Sequence, residues 1–167
     1  MNVVRGFLVG FLLIGWSLPL ASHAAAPEGM AFQDFDAARK ASIETNTRIF
    51  LYFGRYGCPT CDRVNKESFS DMQVKQTYSK NYVLAYVDSE SGKRLRLPNG
   101  ERVTGMSLGI RYQVKGTPTF FFLEPDGSVI LKMPGYVSSK QFLGLDLFVT
   151  KEYYKQHSLE DFMTSGS

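Results

Sequence analysis

Cys58 and Cys61 are the only cysteines in the chain, and they stand three residues apart in "GRYGCPTCDR", with Pro59 and Thr60 between them. Two thiols at this spacing are suited to reversible disulfide exchange, to half of a metal site, or to no chemistry beyond packing. Pro59 fits the first position of a helix, where its missing N–H would have had no partner, and this puts Cys58 at or next to the N-cap. The apolar, aromatic run "RIFLYFG" just before it, residues 48 to 54, reads as a buried strand. The pair is therefore expected at a strand-to-helix junction.

The elements that must hold this junction follow from the rest of the pattern. Phe32, Phe35, Ala38, Ser42 and Ile43 fall at helical spacing over residues 32 to 46. Ser70 with Gln73 has capping-box spacing and marks a helix running through Val74 and Tyr78. "YVLAYVD", 82 to 88, is a second strand, so strand, helix and strand imply a right-handed crossover and a parallel pair. "KRLRLPNGERVT", 93 to 104, alternates on both sides of Pro98-Asn99-Gly100 and reads as an inserted hairpin. A short helix is expected in "SLGIRYQV". "TPTFFFLEPDGSVILKM" reads as two antiparallel strands joined through Glu124-Pro125-Asp126-Gly127. A last helix starts near Ser138 or Ser139 with Phe142, Leu145 and Val149 on one face, and Ser158 with Asp161 marks one more turn in the tail 158–167. Phe120 to Phe122 and Tyr153 with Tyr154 are read as packing residues. The sum is an α/β fold, a central mixed sheet flanked by helices.

The N-terminus sets the compartment. "MNVVR" is followed by the apolar run "GFLVGFLLIGWSLPLA", and Ser22 and Ala24 satisfy the small-x-small rule for signal peptidase, so residues 1–24 read as a cleaved leader and 25–157 as the mature domain. An uncleaved anchor is the alternative. After cleavage no further stretch approaches membrane length, and a soluble, exported protein is expected. Outside the cytosol a close cysteine pair oxidises unless something reduces it. A net charge of +3 on 167 residues, with no basic run longer than "KRLR", gives no footprint for nucleic acid. Zinc requires four ligands, and the mature chain offers Cys58, Cys61 and His157 among the usual sulfur and nitrogen donors. Copper(I) accepts two thiolates, so a copper-carrying module stays open. A third possibility is a redox-inactive binding module whose disulfide is a local staple, but so small a closed loop contributes little stability.

Taken together, "GRYGCPTCDRV", "VKGTPTFFFLEPDG" and "MPGY" before the last helix resemble the thioredoxin family over residues 30 to 150. "CPTCDRVNKESFSDMQV" and the hairpin are similar, more narrowly, to exported thioredoxin-related reductases found with sulfur-oxidation systems and to the C-terminal domain of transmembrane thiol-disulfide reductases. The resemblance implies a thioredoxin fold, Cys58 as attacking thiol, Cys61 as resolving thiol, and a cis Thr117-Pro118 peptide facing them and binding extended substrate. Physical chemistry supports these roles. A sulfur at a helix N-terminus meets the positive end of the dipole and free N–H groups, which favours thiolate. Cys61, one turn further in, is expected to be the more buried. Tyr56, on the loop entering the site, is a further candidate for substrate binding.

Departures from the family pattern are equally informative. Tyr52 stands where thioredoxin has a buried Asp, and Gly57 replaces the tryptophan before the first cysteine. Asp62, Glu67 and Tyr52 are the remaining candidates for proton transfer to Cys61. No histidine lies between the cysteines, and a less oxidising pair is expected. The reading is an exported thiol-disulfide oxidoreductase working in the reductive direction, with no cofactor and no bound metal. Its expected partners are oxidised exported proteins and a membrane thiol-reducing transporter, and a monomer is expected. Disulfide oxidase or isomerase activity is the alternative within the same fold.

Overall fold

A computed structural model describes residues 26–165. The expected leader, 1–24, lies outside them. The chain runs α1 (Phe35–Thr45), β1 (Ile49–Gly54), α2 (Pro59–Glu67), α3 (Met72–Asn81), β2 (Val83–Asp88), β3 (Arg94–Arg96), β4 (Arg102–Thr104), α4 (Gly105–Arg111), β5 (Thr119–Leu123), β6 (Val129–Pro134), α5 (Ser139–Thr150) and α6 (Leu159–Ser165), with a short 3-10 turn before α6. Four strands form one sheet in the order β2-β1-β5-β6. The pair β1–β2 is parallel and the pair β5–β6 antiparallel, as the sequence pattern predicts, and the structure adds an antiparallel pairing of β1 with β5. The expected hairpin is present as the antiparallel pair β3–β4.

Alternation along the strands gives the sheet two apolar faces. Phe50, Tyr52, Phe120 and Phe122 point to one side, where Val64 of α2, Tyr78 of α3 and Phe142 of α5 cover them. Ile49, Leu51, Phe53, Phe121 and Leu123 point to the other, against Phe35 and Ala38 of α1, Leu108 of α4, and Leu95 and Val103 of the hairpin. Every residue of β1 is consequently buried, which explains its continuous apolar character. Phe50 anchors the first face, edge-on to Tyr78 with ring centroids 4.7 Å apart.

Local chemistry moves some boundaries from their expected places. The first helix starts at Phe35, not Phe32, because Gln33 pairs with β2: its N–H donates to Leu84 O and its carbonyl accepts from Tyr86 N–H. That bridge sends Phe32 to one face of the sheet and Phe35 to the other. Ile43, expected on the apolar side of this helix, is exposed, while Ser42 is buried and its hydroxyl donates to Thr47 O at 2.5 Å. Asp71, not Ser70, caps α3, accepting from the N–H groups of Gln73 and Val74; the Ser70 hydroxyl instead donates to Lys66 O. The helix expected in "SLGIRYQV" begins earlier, at Gly105, behind a capping box made by Thr104 and Ser107. Ser138 caps α5 with Gln141 in the same way. In the tail, α6 sets Phe162 against Phe148 of α5, centroids 5.2 Å apart.

Candidate active site

The junction between β1 and α2 is built by three consecutive residues. Gly57 has φ 62°, a left-handed conformation that favours glycine over any bulky residue. Cys58 is the N-cap of α2, with Pro59 in the first turn. Cys58 and Cys61 form a disulfide with their Cα atoms 5.2 Å apart, well within the span such a bond accepts. Cys58 Sγ accepts from the Cys61 N–H at 3.2 Å. The expected difference in burial is not found: both cysteines are 2% exposed. The reason lies across the sheet, where the loop before β5 covers Cys58 as the helix covers Cys61.

That loop carries Thr117 and Pro118, joined by a cis peptide. The Thr117 hydroxyl donates to Cys58 Sγ at 3.3 Å, and the Thr117 carbonyl oxygen lies 3.4 Å from the same sulfur. In the disulfide the second approach is a van der Waals contact, since the sulfur carries no hydrogen; on reduction a thiol there has an acceptor waiting. Donors to sulfur, by contrast, favour the thiolate. The loop before β5 thus brings Thr117, 59 residues from Cys58 in sequence, to the cysteine pair together with Pro118. Tyr56 lies on the loop entering the site and is 63% exposed.

The three candidates for proton transfer occupy different settings. Tyr52 is fully buried beneath the site, with its hydroxyl donating to Asn65 Oδ1 at 3.4 Å and its ring edge-on to Tyr86 at 5.2 Å. Burial, reinforced by the charges of nearby Asp62 and by Tyr86, pushes the Tyr52 phenol far above its ordinary range, so it stays protonated at any physiological pH. Glu67 is already engaged: its Oε2 accepts from Tyr136 OH at 2.8 Å and from Arg63 Nε at 3.1 Å, and these bonds hold the carboxyl below its usual range. The Arg63 guanidinium lies 4.1 Å from the centre of the Tyr136 ring, completing a polar ledge on α2 that sequence reasoning missed. Asp62 is exposed on the first turn of α2. Among the described residues no group of three or more His, Cys, Asp or Glu side chains is gathered as a metal site would need.

Comparison with known proteins places this geometry. No curated protein sequence matches the chain. Among solved structures, a thioredoxin-fold protein from Helicobacter pylori is 24% identical with a TM-score of 0.63, covering 73% of this chain and 80% of its own. A thioredoxin from Thermus thermophilus is 25% identical with a TM-score of 0.60, covering 72% of this chain and 87% of its own. The C-terminal domain of DsbD from Neisseria meningitidis, in its reduced form, is 21% identical with a TM-score of 0.51, covering 73% and 91%. The model of the thioredoxin-like domain matches residues 35–147, a stretch that includes both cysteines, Thr117 and Pro118. With that match over most of its length, and with the fold and cysteine pair described above, the chain belongs to the thioredoxin-like family.

Proposed function

We propose that the protein is an exported thiol-disulfide oxidoreductase that reduces disulfides in other exported proteins. One observation carries this reading: the Cys58–Cys61 disulfide sits at the N-terminus of α2 with Thr117 within 3.3 Å of Cys58 Sγ. In the reduced protein the Cys58 thiolate attacks one sulfur of a substrate disulfide. The other substrate sulfur departs as thiolate and takes a proton. Cys61 then gives up its proton, and its thiolate attacks Cys58 Sγ, expelling the first substrate sulfur and closing the disulfide. Two electrons pass to the substrate with two protons, one given up by Cys61 and one, lost by Cys58 when its thiolate formed, returned through solvent. A membrane thiol transporter restores the dithiol by the reverse exchange, which the oxidising surroundings make necessary. The leader at residues 1–24 supports export, and the lack of a histidine between the cysteines supports a reducing pair. Among the described residues no helix is long and apolar enough to cross a membrane.

Equilibration with glutathione buffers tests the direction. The expected potential lies nearer the ~−270 mV of thioredoxin than the ~−120 mV of the strongest oxidising relatives. A value close to the latter, or a pair that stays oxidised in cells containing the transporter, assigns the protein to disulfide formation or isomerisation. Stoichiometric copper on the purified, reduced protein assigns it to metal carriage.

A further inference from the structure

The loop formed by Lys115, Gly116 and Thr117 divides two surface clefts. One, of 260 Å³, is bounded by Arg55, Glu90, Met106, Ile110 and Lys115 and ends at Thr117. The other, of 440 Å³, lies on the far side of the same loop and includes Lys115, Thr117, Pro118 and Lys132. A chain lying in either cleft reaches Thr117, whose hydroxyl and carbonyl oxygens lie 3.3 and 3.4 Å from Cys58 Sγ.

The wall of the first cleft has an unusual composition. Met106 and Ile110 are one helical turn apart on α4 and are 53% and 75% exposed, while Leu108 on the opposite side of the helix is buried in the core. Much of these two large apolar side chains is left in water, and an occupant that covers them removes that surface from it. Arg55 and Lys115 stand in this cleft with one carboxylate, Glu90, and Lys132 adds a third cation in the second cleft. Lys115 makes no hydrogen bond or ion pair among the described residues. Lys132 Nζ donates only to backbone, to Tyr112 O and Gln113 O, and lies 5.4 Å from the Phe121 ring centre. Arg55 meets Glu90 at 3.8 Å, their side chains 40% and 64% exposed, a pairing of little strength. The clefts thus present apolar surface together with uncompensated positive charge.

We infer, taking the dithiol activity proposed above as given, that this surface selects extended disulfide-bearing segments that carry a carboxylate and a large apolar side chain close to the reacting cysteine. The apolar side chain lies on Met106 and Ile110, and the carboxylate lies beside Lys115. Charge at this rim acts mainly on encounter and register, so its share of the preference weakens with salt.

Two short synthetic peptides, each closed by one internal disulfide, test this with the pre-reduced protein in single turnover. One has Asp and Leu beside its cysteine, the other Lys and Ser. At low salt the acidic, apolar peptide is expected to react about tenfold faster. Lys115→Glu is expected to lower that ratio about fivefold and Ile110→Ser about threefold. A variant that is merely less well folded slows both peptides together and leaves the ratio unchanged. Neutral bis-hydroxyethyl disulfide serves as the control for the dithiol itself. Equal wild-type rates for the two peptides, or a ratio unchanged in both variants, overturn the inference while the control reaction proceeds. Failure of the wild-type protein to reduce the control overturns the dithiol activity, and the selectivity with it.

Discussion

At Cys58, two hydrogen-bond donors converge on one sulfur, the Cys61 N–H and the Thr117 hydroxyl. Both lower the energy of a thiolate relative to a thiol, and the helix terminus adds to them. In the reduced protein, iodoacetamide is accordingly expected to alkylate Cys58 about tenfold faster than Cys61 at neutral pH. Cys61→Ala should accumulate mixed disulfides and Cys58→Ala should not; equal alkylation with no trapped species would sink the assignment. Thr117→Val removes one donor without changing the side chain's branching, and the midpoint of the Cys58 alkylation profile should rise by about half a unit to one unit. An unmoved midpoint would show that the helix alone activates the sulfur. Half of this arrangement was legible in the chain itself. Pro59 announces the helix start and so places Cys58 at its cap. The Thr117 contact was not legible from residue chemistry, because it depends on how β5 is set against α2; only the family resemblance pointed to that loop.

The elements that build the walls of the site are held by a few tight contacts, and α4 shows this best. A Cβ on Gly105 would stand 2.1 Å from the Asp88 carbonyl oxygen, so the helix start can rest on the end of β2 only if that residue is glycine. Gly105→Ala must push α4 outward and should lower stability by about 1–3 kcal/mol. Gly109, one turn later, has only ordinary contacts at 3.6 Å, and Gly109→Ala should be neutral or stabilising by up to ~1 kcal/mol through helix propensity. Urea denaturation of the two variants checks both signs, and equal effects would dismiss the close approach as the cause. Sequence patterning placed the strands well, since the runs 48–54 and 82–88 and the Glu124–Gly127 turn are local features. Helix starts were harder to read where two signals competed. Ser70 and Asp71 both have capping chemistry, and which of them serves is settled by the carbonyl of Lys66, which takes the Ser70 hydroxyl. At the first helix, the bridge between Gln33 and β2 is a long-range pairing that no 3.6-residue periodicity encodes.

At the scale of the molecule, a single sheet separates two cores, and the one beneath the cysteines is rich in tyrosine. Tyr52, Tyr78 and Tyr82 are all buried there, with the Tyr78 hydroxyl donating to Phe142 O at 2.8 Å. Burial is the leading cause that raises all three phenols above their ordinary value of 10.0. A neutral phenol suits a site where thioredoxin keeps an acid, because nothing at position 52 changes charge near the pH at which the thiols work. The same burial sets a limit at high pH. Below pH 10 these groups are protonated in both folded and unfolded chains and make stability no steeper or flatter. Above it the unfolded chain ionises while the folded one does not, so the stability that burial supplies is lost as pH rises toward the folded values. Each tyrosine that remains un-ionised contributes a slope of about 1.4 kcal/mol per pH unit, and three together about 4 kcal/mol per unit. Urea midpoints measured from neutral pH to pH 11 should therefore hold level as far as these residues are concerned until about pH 10 and then fall steeply. Tyr78→Phe, which removes one of the three phenols and one hydrogen bond, should cost stability at neutral pH and yet make the alkaline fall shallower by about a third. A slope unchanged by that substitution would mean that Tyr78 ionises in the folded protein, and that the core beneath Cys58 admits water.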